Sequence, residues 1–351
     1  MTITSTQWGA LPDGTPVELY TLTNDHGLEV SIATYGGAIT RLLVPDGAGN
    51  RVNVTLGYDS LAGYCADQSC MGVLVGRVAN RIAQARFTLN GTRHVLDRNH
   101  GKHQLHGGSR GFNSRVWEAE ANETDAGPQI TLTRVSPDGE QGFPGTLRVA
   151  VDFTLVGDSL HLDFGAITDA PTMVSMTNHS YFNLAGRPGA DCLDHCLRLA
   201  SGQYLETDAD LVPTGAVVRS FGTPLDFREL TPIGKRIKAP CAALTNGAGY
   251  DHYHVLADTT LGLKFAAQVL EPESRREMEV WTTAPGIHFY SGNHLHEALS
   301  DKHGMVYGPH SGFCLEAHGY VDAPNQPGFP SIQLDPGVAY SQTTLYKFPV
   351  K

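Results

Sequence analysis

Apolar and polar residues alternate with a period of two along most of this chain. Val17 to Leu22 and Leu28 to Ala33 do so cleanly. Half-buried strands read this way because successive side chains point to opposite faces of a sheet. Asn24-Asp-His-Gly27 between them has the residues of a turn. Further strands are expected over Ala38–Val44, Gln129–Val135, Leu147–Leu155, Leu160–Phe164, 263–270 and 277–283. Phe87–Gly91 and Arg93–Leu96 read as a hairpin across Asn90-Gly91. Three more strands are expected later, opened by Asp251, centred on His288 and centred on Glu316. Asp59–Tyr64 predicts one helical turn with Asp59 as its cap. No amphipathic helix of about 12 residues, the usual length, appears. With 39 glycines and 20 prolines punctuating short strands, the class is all-β: a large antiparallel β-sandwich, expected as one domain over 1–351.

Composition narrows the function. The net charge of −11, without a long acidic run, argues against nucleic acid and anionic membranes. No apolar stretch approaches the roughly 20 residues that span a bilayer. The first eight residues lack the basic and apolar regions of a secretory signal. Six cysteines are too few for a disulfide scaffold in a chain of 351 residues. A reduced, cytoplasmic protein, monomer or homodimer, is the expectation.

Candidate chemistry gathers in a few stretches. Residues 177–184, Thr-Asn-His-Ser-Tyr-Phe-Asn-Leu, crowd an imidazole, two carboxamides and three hydroxyls beside two rings. Such groups suit a polyhydroxylated ligand, and His179 titrates, when unperturbed, near about 6.5. Asn80 and Arg81 end an apolar run, and the guanidinium fork suits vicinal hydroxyls or a carboxylate. His100, His103 and His106 tempt a metal reading, but two glycines deny them a regular scaffold, so no metal is expected. Gly107-Gly-Ser-Arg-Gly111 matches a nucleophile elbow without the strand and helix that motif requires. Asp251 opens a strand, His288 and Tyr290 share a strand face, and Glu316 stands inside an apolar strand. A buried acid there is costly unless partnered or functional. One carboxylate, two imidazoles and hydroxyl-binding groups fit proton transfer on a sugar, without a redox cofactor. A non-catalytic sugar-binding module, a glycoside hydrolase using Asp251 and Glu316, a hexose-phosphate epimerase and a metal-dependent cupin are the competing readings.

The chain resembles the aldose 1-epimerase (galactose mutarotase) family. The resemblance rests on Gly76–Ile82, Leu105–Gly108, Thr177–Leu184, Tyr250–His252, Pro285–Asn293, Leu315-Glu316 and Asp322–Asn325, in the family's order. It implies a large β-sandwich and interconversion of aldohexose anomers without a cofactor, the partner being a small monosaccharide. It implies Glu316 as base, His179 as acid toward the ring oxygen and His106 as its helper. Asn80, Arg81 and Asp251 would bind sugar hydroxyls. His288 stands where the family usually has Gln, and His318 where it often has Gln. His103-Gln104 replaces the usual Asn-His. These departures bear on which sugar is preferred.

Overall fold

The computed structural model describes residues 1–46, 49–187, 189–295 and 306–349. Three antiparallel sheets carry most of them. Thr2–Ala10, Pro16–Thr23, Glu29–Ala33, Ala38–Pro45 and Arg51–Asn53 pair in sequence order as the first sheet. The second has nine strands. Glu118–Glu123, Pro128–Ser136, Leu147–Val156 and Ser159–Thr168 form a meander, to which Tyr340–Lys347, Glu277–Thr282, Lys264–Leu270, Cys196–Leu199 and Thr231–Pro232 are added in that order. The third runs Pro213–Arg219, Gln203–Thr207, Asp251–Val255, Gly286–Tyr290, Cys314–His318. One apolar cluster joins all three: Val30 and Ile32, Leu132 and Phe153, and Ile287, Phe289 and Leu315 belong to it.

The expected strands form where the alternation is clean. Asn90 and Gly91, at φ 50° and 80°, make the left-handed turn that matches the strand twist. The N-terminal strand was hidden from pattern reading. Thr2–Ala10 is an edge strand of mainly exposed residues, so it shows no apolar alternation. The early helix is also shifted. It runs Leu61–Ala66, and Ser60, not Asp59, caps it, its hydroxyl accepting from the Gly63 amide at 3.4 Å. Among the described residues the two α-helices have six residues each, and no helix is long and apolar enough to cross a membrane.

Candidate active site

Three adjacent strands of the third sheet build the floor. Asp251 lies opposite Tyr290, and His288 lies opposite both Tyr253 and Glu316. Side chains alternate along a strand, so Asp251, His288, Tyr290, Cys314, Glu316 and His318 share one face. Ile287, Phe289 and Leu315 take the other face and enter the core.

Two short ladders deliver the remaining groups. Thr177–Asn178 pairs with Leu74–Val75, so His179 leaves a strand end directly over the floor. Its amide donates to the Val73 carbonyl at 2.9 Å, and its carbonyl accepts from the Gly72 amide at 3.0 Å. Arg81–Ile82 pairs with Gln104–Leu105, which carries His106 to the same place. Asn80 and His106 both adopt left-handed backbone, at φ 62° and 52°, and hold each other. The Asn80 amide donates to His106 Nδ1 at 3.2 Å. The His106 amide donates to the Asn80 carbonyl at 3.1 Å. The next residue, Gly107, has φ 84°, and a Cβ there would sit 1.9 Å from the Gly76 carbonyl oxygen, so only glycine fits.

The assembled groups interlock. His179 Nε2 lies 3.7 Å from Glu316 Oε1. The His106 and His179 rings meet edge to face, 5.1 Å apart. Donor atoms of His106, His179 and Glu316 all lie within 4.8 Å of one another, close enough for a cation. Arg81 reaches Asp251 at 3.2 Å and the Asn80 side-chain oxygen at 3.3 Å. His288 Nε2 donates to Asp251 Oδ1 at 2.5 Å, and its Nδ1 accepts from the Asn80 carboxamide at 3.3 Å. Tyr181 and Tyr290 wall the His179 side at 5.1 and 6.5 Å between rings.

Electrostatics separates the carboxylates. Burial, then the charge of Asp251, pushes the Glu316 carboxyl well above its usual range against the opposing pull of Arg81. Burial acts on Asp251 too, but Arg81 and His288 override it and hold that carboxyl well below. Burial lowers His179 to about 4. Burial, then His179 and Arg81, lowers His106 well below 6.5, although the residue keeps some exposure. Because a backbone amide can only donate, neutral His106 carries its proton on Nε2. Among the described residues Arg81 Nε, Glu316 Oε2 and His318 Nε2 are buried without a hydrogen-bond partner. Three such atoms around one cluster point to a polar ligand.

All seven residues singled out as catalytic or sugar-binding meet here: Asn80, Arg81, His106, His179, Asp251, His288 and Glu316. Others do not. His103 turns away, its Nδ1 accepting from the Gln84 amide at 3.1 Å and its Nε2 facing Asp210 at 3.4 Å. The histidines of 100–106 therefore do not converge. Arg77 is fully buried elsewhere, donating to Ser136, Pro137, Pro144 and Thr172. Arg77 therefore does not join Arg81 in the basic cluster that a sugar phosphate would suit. The loop 107–111 leads into a 3₁₀ turn, Phe112–Ser114, rather than the helix of a nucleophile elbow. Most polar groups of 177–184 also prove structural. Asn178 donates to the Gly72 carbonyl at 2.8 Å and accepts from Ser180, and Asn183 ties the Ala190 and Ser311 carbonyls. A cleft of about 540 Å³ over the outer face of the first sheet contains no member of the cluster. Pattern reading did not single out Cys314 and Tyr181. The period of two from Glu316 flags Cys314, and Tyr181 stands two residues after His179 in the stretch already marked by its rings.

Comparison with known proteins identifies the family. The aldose 1-epimerase family model matches residues 18–347. Galactose mutarotase from Rattus norvegicus is 42% identical over 351 residues, covering 100% of this chain and 99% of the relative. Aldose 1-epimerase from Escherichia coli K12 is 35% identical over 340 residues, covering 96% of each. The crystal structure of galactose 1-epimerase from Lactobacillus acidophilus superposes with a TM-score of 0.86 at 26% identity, covering 99% of this chain and 98% of that one. The chain belongs to the aldose 1-epimerase family.

Proposed function

We propose that this enzyme interconverts the α and β anomers of an aldohexose of the galactose and glucose type, with Glu316 and His179 moving the protons. The observation that carries the reading is the buried pair, 3.7 Å apart, beside hydroxyl-binding Asn80, Arg81 and Asp251. Glu316 takes the proton of the C1 hydroxyl. The freed electron pair forms the C1–O1 double bond as the C1–O5 bond breaks. O5 takes a proton from His179 Nε2, with the Nε2–H of His106 beside it. The aldehyde rotates about C1–C2, and the reverse steps give the other anomer. Oxidation state never changes, so the residues present suffice for the proton and bond changes.

Ring opening converts a carboxylate and an imidazolium into a carboxylic acid and a neutral imidazole. Burial favours that neutral pair, so the enclosed site assists the opening step. The working form holds one proton shared by the pair. Arg81 and Asp251 offer the sugar a donor and an acceptor, and His288 steadies Asp251 between itself and the guanidinium. The six free cysteines support a reducing, cytoplasmic setting.

Polarimetry of freshly dissolved α-D-galactose and α-D-glucose tests the reading. Equilibration should be accelerated for at least one sugar. Unchanged rates with folded protein overturn it.

A further inference from the structure

His318 is fully buried on the site face, two residues beyond Glu316 on the same strand. Its Nδ1 lies 2.6 Å from the Gly319 carbonyl oxygen. A carbonyl can only accept, so the proton of the neutral ring sits on Nδ1 and Nε2 presents a bare lone pair. Burial holds the group down to about 3, so the ring stays neutral at ordinary pH. That Nε2 has no partner among the described residues. The ring is fixed between His288, 6.2 Å away and nearly parallel, and Tyr253, 5.2 Å away. Neither neighbour satisfies it: the His288 nitrogens face Asp251 and Asn80, and the Tyr253 hydroxyl donates to the His318 carbonyl at 2.7 Å.

A buried acceptor without a donor is destabilising, and natural proteins keep few of them. Glu316 Oε2 is a second such atom on the same strand face. Two residues of strand separate their Cα atoms by about 6.6 Å, at roughly 3.3 Å per residue. One hexose ring with its hydroxyls covers such a span. Both atoms are buried on the face that carries Asp251, His288 and Tyr290, so a sugar bound against Glu316 lies over the same stretch of strand as His318.

We propose that His318 is a specificity-determining residue of the sugar site, its Nε2 accepting a hydrogen bond from one ring hydroxyl other than that on C1. The proposal rests on the mutarotase reading above. It assigns the site an acceptor and no donor at this point, so an aldose lacking that hydroxyl should react poorly.

The test compares initial mutarotation rates of the wild type, His318→Phe and His318→Met on D-galactose, D-glucose and their 2-, 3-, 4- and 6-deoxy analogues. Removing one hydroxyl should lower the wild-type kcat/KM by about 10-fold, the scale of one neutral hydrogen bond. The same removal should have no effect in either variant. His318→Gln, which keeps an acceptor, should recover part of the penalty. In the wild type, the ¹⁵N resonance of His318 Nε2 should shift on adding galactose. If every deoxy penalty is the same in the wild type and the folded variants, His318 reads no hydroxyl and the proposal fails. Should His318→Phe not fold, His318→Met and the resonance decide. A wild type that accelerates no aldose sinks the mutarotase reading instead.

Discussion

Residues 177–184 and 314–318 are both rich in functional groups, and they dispose of them differently. In the first, Asn178, Ser180 and Asn183 bond to backbone or to each other, Tyr181 supplies a ring wall, and His179 alone faces Glu316. In the second, a regular strand sets Cys314, Glu316 and His318 on one face, and two of the three keep a buried atom without a partner. Beyond its short ladder this segment crosses irregular chain, and its carboxamides satisfy the carbonyls of Gly72, Ala190 and Ser311. A strand already has its ladder, so its polar side chains are free for a ligand. Here the polar-dense segment is mainly a structural joint, and the strand with two unpartnered buried atoms faces the site.

The largest effects on rate should come from the one proton-transfer group each region contributes, Glu316 and His179. Glu316→Gln keeps the shape and removes the base, so mutarotation should fall about 10²–10⁴-fold, the usual range for a general base. His179→Asn should lower it similarly while calorimetry still detects sugar binding. The double variant should be little worse than either single one, since residues that act as a unit are strongly non-additive. Near wild-type rates in folded Glu316→Gln would place the base elsewhere.

Stability should separate the two regions. Asn178→Ala leaves the buried Ser180 amide and hydroxyl without their acceptor, while the Gly72 carbonyl keeps the Ile39 amide, a loss of about 1–3 kcal/mol in denaturant unfolding. Glu316→Gln should lose less than that, because it removes a charge that burial already disfavours. If Glu316→Gln proves the more destabilising, the contrast between the two regions is wrong.

The rate profile should be bell-shaped and broad. At pH below the His179 value of about 4 both members of the pair are protonated and no base remains. Above the raised Glu316 value both are deprotonated and no acid remains. The acid limb should therefore belong to the pair near 4 and the alkaline limb should lie well above the ordinary carboxylate range. Initial rates from acid to alkaline buffers check this, and an alkaline limb at the ordinary carboxylate range would refute it.

That assignment differs from what the residues alone suggest. Charge attraction between Glu316 and His179 is the natural expectation from their types, and it would keep the imidazolium charged to higher pH. Burial reverses it, and the depth of a site is not written in residue type. The strand periods, the hairpin and the seven candidate residues that converge here were legible because each rests on local spacing or a motif. The edge strand Thr2–Ala10 was not, since pairing on one side needs no apolar face. Nor was the fate of Arg77, whose five oxygen contacts come from residues 136–172, far along the chain.

The smallest expected effect is the subtlest. His288 spans two partners, donating to Asp251 from Nε2 and accepting from Asn80 at Nδ1. A carboxamide has a donor and an acceptor too, but both sit at its tip, so one glutamine cannot bridge the width of an imidazole ring. His288→Gln should free either Asp251 or Asn80 to turn, leaving the Glu316–His179 pair in place. The ratio of kcat/KM between galactose and glucose should then shift several-fold, about the worth of one hydrogen bond, while kcat on the better sugar stays near wild type. Measuring both sugars with both proteins separates the cases. An equal loss on each sugar would make His288 part of the proton machinery, and would move the boundary between binding and chemistry one strand inward from Glu316.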